Sequence, residues 1–253
     1  MSAAAADRPV ALVTGASRNI GRRIALALAE QGHAVAVHVR HSQDEGAEVV
    51  EAIRSAGGDA GLFIADVTDA AAVRALVEAV GARWQRLDVL VNNAAVRLEA
   101  PIAAIDPAAW RHTLAVVLDG AFFCVQAALP LLRASPAAAI VNIGGMTAHT
   151  GAPQRAHVVT AKAGLVGLTR ALAHELAADG ITVNCVAPGL IDTERRAASA
   201  SPDPAHRSRH ATLLGHRGAP ADVAAAVCWL TGPQARFITG QVLHVNGGAY
   251  LGG

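Results

Sequence analysis

Aromatic residues are scarce in this chain. They make up 3% of 253 residues, and there is one tyrosine, Tyr250, against three tryptophans and four phenylalanines. Charge is also sparse, at 16% Asp, Glu, Lys and Arg with a net of +1. With 53% hydrophobic residues this excludes a disordered chain, and the near-neutral balance gives no basic footprint for nucleic acid. The three cysteines, Cys124, Cys185 and Cys228, are odd in number and sit in apolar runs such as "AFFCVQAAL". They provide neither a disulfide framework nor Cys/His zinc spacing, so no metal is expected. The opening "MSAAAADRPV" lacks the basic region and apolar core of a signal peptide, and no uninterrupted apolar run reaches the roughly 18 residues of a membrane span. A soluble, cytoplasmic protein with no membrane contact is expected.

What is present is alternation. Short apolar runs at 10–15, 34–39, 60–66, 87–93, 138–144, 181–188 and 240–247 read as strands. Amphipathic stretches at 20–31, 43–56, 70–84, 106–133, 157–179 and 221–231 read as the helices between them. Continuous apolar strands imply a sheet covered on both faces. The expected architecture is α/β: a single doubly wound Rossmann domain over 1–253, with a seven-stranded, mainly parallel sheet. The polar segment 190–218, rich in Ser, Ala, Arg and His, follows a strand end on the ligand side and reads as a substrate lid.

"ALVTGASRNIGRRIALALA" places a turn between the first strand and first helix, with Gly15 and Gly21 framing Ala16, Ser17, Arg18, Asn19 and Ile20. Such a turn lets backbone approach a pyrophosphate, and the helix N-terminus offers free N–H donors and a favourable dipole. "TGASRNIG", "NNAA" (92–95), "APGLIDT" (187–193) and "ITGQVLHVNGG" (238–248) follow in order. On these motifs the chain resembles the short-chain dehydrogenase/reductase family along nearly its whole length, with features of its pteridine-reductase and 3-oxoacyl-reductase branches. Asn19 stands where the family has its middle glycine, and asparagine tolerates the left-handed backbone required there.

An NAD-preferring unit places an acid about 20 residues past the last glycine. Here that stretch is "VHVRHS", with no acid but with Arg40, His41 and Ser42, and Arg18 lies in the loop beside it. Guanidinium groups match a 2′-phosphate, so the resemblance implies NADP(H) rather than NAD(H). It also implies that Asp66 and Val67 face adenine, that Asn93 lies by the adenosine ribose, and that Pro188, Gly189, Ile191 and Thr193 line the nicotinamide.

The family's reaction uses Asn, Ser, Tyr and Lys. Lys162 in "VVTAKAGLVGLTRALAHELA" matches the lysine, but the tyrosine position is Val158, the serine position Gly145 and the asparagine position Val117. A missing general acid costs about 10²–10⁴ in rate and a missing oxyanion donor about 10²–10³, so ordinary carbonyl reduction is expected to be disabled. Lys162 retains the family's ribose-binding role, and His149, in the loop after Gly145, is a candidate replacement donor. Three readings stay open. One is an NADP(H)-dependent oxidoreductase acting on C=N or activated C=C bonds of an unknown small molecule. The second is a catalytically inactive partner subunit or ligand sensor, and the third is non-redox chemistry in the same pocket. Apolar stripes on 106–133 and 157–179 imply a homodimer or homotetramer, or a hetero-oligomer with an active paralogue.

Overall fold

A computed structural model describes residues 8–193 and 211–252. Its elements run β1 (Val10–Val13), α1 (Asn19–Glu30), β2 (Ala34–Val39), α2 (Gln43–Ser55), β3 (Ala60–Ile64), α3 (Ala70–Trp84) and β4 (Val89–Asn92). There follow α4 (Pro107–Leu114), α5 (Gly120–Ala134), β5 (Ala139–Ile143), α6 (Ala156–Glu175), β6 (Thr182–Pro188), α7 (Pro220–Thr231) and β7 (Val242–Val245). The seven strands form one sheet in the order β3-β2-β1-β4-β5-β6-β7, and every neighbouring pair is parallel.

Because side chains alternate across a strand, each apolar strand feeds two cores. Ala11 and Val13 of β1 pack with Ile24, Leu28, Val49, Ile53, Val223 and Val227, which come from α1, α2 and α7. Val10 and Leu12 of the same strand pack with Val73, Val80, Cys124, Leu132 and Leu172, from α3, α5 and α6. Both faces are thus covered by helices. The 107–134 stretch is long and apolar enough to cross a membrane by composition alone. It is instead a core element, interrupted by a π turn at Ala115–Asp119 and containing Pro130, with Cys124, Val125, Ala128 and Leu132 buried. The sequence pattern read it as one unbroken helix.

At the end of the sheet away from the ligand loops, Asp88 binds three segments together. Its carboxylate accepts from the Val10 amide at 2.7 Å, Ser135 Oγ at 2.6 Å and Arg86 at 2.8 Å. Burial pushes the carboxyl pKa up, but the Arg86, Ser135 and Val10 donors outweigh it and hold the group below its ordinary value. With the folded pKa depressed, the contribution is present above the unfolded value near pH 4 and is lost as pH falls through the folded one. Asp88→Ala is expected to destabilise by about 3 kcal/mol. In denaturant titrations the loss should shrink on acidification, because the wild type gives up the same interaction there.

Candidate functional site

Strand order reverses between β1 and β4, and in such folds ligands bind outside the carboxyl ends of the strands at that reversal. The turn there is held by Thr14 and Asn93. Thr14 Oγ accepts from the amides of Asn93 at 2.9 Å and Ala94 at 3.0 Å, and Asn93 Nδ2 donates to the carbonyls of Thr14 and Gly15, each at 2.9 Å. Gly15 adopts φ 64°, and Asn19 takes φ 51° at the position matched to the family's middle glycine. A Cβ on Gly21 would overlap the Gly15 carbonyl and Asn93 Nδ2, so the helix can approach the turn this closely only with glycine. Arg18 is the N-cap of α1 with no side-chain cap bond, and the first turn of α1 holds no acid. Backbone donors and dipole are therefore presented to an anion.

A residue missed in the sequence wires this turn to β2. His38 is buried, and its Nδ1 accepts from the Gly15 amide at 3.2 Å while its Nε2 meets the Ala65 carbonyl at 3.1 Å. An amide N–H only donates and a carbonyl only accepts, so the ring is neutral with its proton on Nε2. Its one legible signal was a polar residue inside "VAVHV". Beyond it, Arg40 and His41 are exposed, Ser42 is half-buried, and Arg40 forms a 3.7 Å ion pair with Asp66. Asp66 also accepts from the amide and hydroxyl of Thr68, at 2.9 and 2.8 Å, while Val67 is buried.

On the other side of the reversal lie the ends of β5 and β6. The Met146 amide donates to the Pro188 carbonyl at 2.9 Å, and the Gly189 amide to the Val245 carbonyl at 2.9 Å. Ile191 bridges to Gly218, and the Asp192 amide donates to the Gly218 carbonyl at 2.8 Å. Thr193 accepts from Arg97 Nη1 at 3.3 Å. Most of the expected lid, 194–210, lies outside the described residues.

Lys162 is buried, and its Nζ donates to the Ile143 carbonyl at 2.5 Å. Burial lowers its pKa to about 8; the neighbouring Cys185 acts against this, and the Arg97 and Arg155 guanidiniums add to it. An ammonium has three hydrogens, so a buried one suits a ligand offering hydroxyl acceptors. The positions that the resemblance matches to the family's other catalytic groups are apolar or glycine. Val158 and Val117 are buried, Val117 packing with Ala161 and Leu165 of α6. The π turn at 115–119 therefore persists around a valine. Gly145 has nothing within 4 Å of where a Cβ would stand, so the space over it is open.

His149 lies in a single turn, Thr147–Thr150, and its ring meets others from the far end of the chain. Its centroid is 4.7 Å from that of His244 and 5.7 Å from that of Tyr250. Burial lowers the pKa of both histidines, so both rings are largely neutral near pH 7. His157, adjacent to Val158, is buried with Nδ1 lacking a hydrogen-bond partner.

The family model described as enoyl-(acyl carrier protein) reductase matches residues 15–250. The 3-oxoacyl-[acyl-carrier-protein] reductase FabG of Staphylococcus aureus is 40% identical over 241 residues, covering 95% of this chain and 98% of that protein. A dehydrogenase/reductase from Sinorhizobium meliloti superimposes with TM-score 0.89 at 36% identity, over 96% of this chain and 95% of that one. A short chain dehydrogenase from Burkholderia cenocepacia, solved in complex with NADP, gives TM-score 0.88 at 35% identity, over 95% and 97%. The protein belongs to the short-chain dehydrogenase/reductase family.

His38 generates a pH prediction. Burial, its largest influence, lowers the ring pKa, against the Ala65 bond and the charge of Asp66, which raise it. The bond from Gly15 is therefore complete above the unfolded value near pH 6.5 and is lost as pH falls through the folded one. Cofactor affinity should weaken in the same direction. His38→Asn puts an amide oxygen near the Nδ1 position and should keep affinity near neutrality while flattening the acid loss, whereas His38→Ala should weaken binding about tenfold. Fluorescence titrations of both variants with NADPH at about pH 5.5 and about pH 7.5 check this. Titration of the nucleotide's own phosphate is common to all three proteins and drops out of the comparison.

Proposed function

We propose that the protein is an NADP(H)-dependent reductase whose hydride acceptor is a C=N or activated C=C bond rather than a ketone. The observation behind this reading is an intact cradle beside an emptied catalytic set: Thr14, Gly15, Gly21, Asn93 and Lys162 stand in place, while Val117, Gly145 and Val158 occupy the donor positions. The exposed guanidiniums of Arg18 and Arg40, with the side chains of His41 and Ser42, suit a 2′-phosphate, and the Burkholderia relative holds NADP. Asp66, with Arg40 drawn to it, and Val67 bound the adenine side. Pro188, Gly189, Ile191 and Thr193 bound the nicotinamide side, and Lys162 is placed to hold the ribose hydroxyls.

When bound, the nicotinamide supplies a hydride. Reducing a ketone this way builds charge on oxygen that only a proton donor or aimed N–H and O–H groups can meet, and the valines and glycine offer neither. An iminium carbon needs no such help, because its nitrogen ends neutral. His149 lies on the loop after Gly145, but its lowered pKa leaves it mostly without a proton to give at neutral pH. Assembly is expected to use the exposed aromatic residues: Phe122 on α5, Trp229 on α7, and Phe237. A homodimer or homotetramer fits them, and a hetero-oligomer with an active relative would use the same faces. That second arrangement belongs to the reading as an inactive partner.

The purified protein is expected to bind NADPH more tightly than NADH, with stabilisation of about 2.7 kcal/mol at a hundred times Kd in thermal shift. It should reduce a 3-oxoacyl thioester poorly. Restoring the missing groups together, as Val117→Asn, Gly145→Ser and Val158→Tyr, should raise that rate by about 10²–10⁴. If neither nucleotide binds, the reductase reading fails. Tight NADPH binding without turnover of any C=N or C=C substrate would favour the inactive partner.

A further inference from the structure

Beyond the end of β5, three aromatic side chains from two distant parts of the chain meet. His149 comes from the turn after Gly145, His244 from β7, and Tyr250 from the segment that follows it. Ring centroids are 4.7 Å apart for the two histidines, 5.7 Å for His149 and Tyr250, and 5.0 Å for His244 and Tyr250. His149 and Tyr250 are stacked, with 24° between their planes. Through Tyr250 the contact reaches further. Asn246 Nδ2 donates to the Tyr250 carbonyl at 2.9 Å, the Gly248 amide to Asn246 Oδ1 at 2.9 Å, and the Leu214 amide to the Gly247 carbonyl at 3.2 Å. The rings thus fasten residues 246–250, and 212–214 behind them, to the loop that begins at Gly145. A Cβ on Gly252 would stand 3.3 Å from His244 Nε2, so the chain still lies against that ring there.

The fastening suits uncharged rings. His149 Nε2 and His244 Nδ1 are buried, and neither has a hydrogen-bond partner. A neutral imidazole carries one N–H, whereas a protonated one carries an N–H on both nitrogens. Whichever tautomer is present, each cation must therefore hold a buried N–H that nothing accepts, together with its charge. Burial first, then the Arg170 guanidinium on α6, holds His149 below the ordinary imidazole value; burial and then His149 do the same to His244. Among the described residues no acid acts on either ring. The face of Tyr250 attracts a cation, but by less than a buried N–H loses on going unpaired. Two charged rings at this separation would also repel each other.

We propose that His149 and His244 form a proton-operated latch: neutral, they position the C-terminal segment 246–252 against the loop after Gly145, and on taking up a proton they let it go. The latch goes beyond the proposed reaction and is independent of the hydride acceptor. With both folded values depressed, its contribution is complete above the unfolded histidine value near pH 6.5 and is lost as pH falls through the folded ones. The parts it joins adjoin the end of β6: the Met146 amide donates to the Pro188 carbonyl and the Gly189 amide to the Val245 carbonyl, each at 2.9 Å. Release loosens the crevice on that side, away from the phosphate turn that His38 holds.

As the one tyrosine of the chain, Tyr250 is its own reporter. The full chain labelled with fluorotyrosine gives a single fluorine NMR resonance, which is followed from about pH 7 to about pH 5. It is expected to move with a midpoint below the ordinary histidine value near pH 6.5. Over the same interval, hydrogen exchange at 246–251, corrected for the intrinsic effect of pH, should accelerate about tenfold or more while β1 and β4 stay protected. His149→Phe combined with His244→Phe keeps three rings and removes both titrating groups, so resonance and exchange should both become flat. Protection of β1 and β4 shows that the double variant is folded. The wild-type titration needs no variant: a resonance that stays still, or exchange at 246–251 that does not change across the interval, overturns the latch. A folded double variant that titrates like the wild type overturns it as well. No readout here involves NADPH or turnover, so failure of the latch leaves the reductase reading standing, and failure of that reading leaves the latch standing.

Discussion

Between β1 and β4 the sheet reverses its winding, and the crevice this opens must stay fixed although no helix crosses it. Polar groups close it. Thr14 and Asn93 exchange four hydrogen bonds across the gap with neighbouring backbone, and His38 ties Gly15 to β2 and to the end of β3. Each is at least partly shielded from water, where an unmet partner costs about 1–3 kcal/mol, so the turn has little freedom to rearrange. The position of every ligand-facing amide in the turn follows from this lattice, and so does the spacing between the phosphate end and Lys162.

Lys162 shows the cost of the opposite end. A buried ammonium is unfavourable unless hydrogen-bonded, and here it donates to the carbonyl of Ile143. Beside a tyrosine it would act through the phenol. Beside Val158, the proposed reading leaves it donation toward whatever enters the crevice. On the proposed reading the valine and the lysine belong to one arrangement, in which binding geometry survives and proton transfer does not.

The strands were legible because both faces of the sheet are dry, so both alternating sets had to be apolar, as Val10 and Leu12 show against Ala11 and Val13. β2 was read with its own bounds and the other six were read one or two residues too far at an end: Thr14 and Gly15 look apolar-adjacent in sequence but turn away into the phosphate loop. The π turn was invisible because one extra residue within 106–133 leaves the hydrophobic content unchanged. Asn19 could be read, since its backbone demand is local. His38, His149 and Arg97 could not be assigned partners, because those lie 23, 95 and 96 residues away, and no period encodes such contacts.

A reductase without a general acid is limited by its substrate rather than by its own groups. For a ketone, hydride arrival and proton arrival must be coordinated, and on the proposed reading the scaffold lacks the means. For a protonated imine the positive charge already on nitrogen does what the phenol would have done, so acceleration can come from position alone. Holding two reactants in a near-attack arrangement is worth about 7–11 kcal/mol, which exceeds what the missing acid supplied. The demand then moves to orientation: the C=N carbon must face the hydride while the remainder of the molecule is gripped elsewhere. On the proposed reading, the turn held by Thr14, Asn93 and His38 meets part of that demand by fixing where the nucleotide lies.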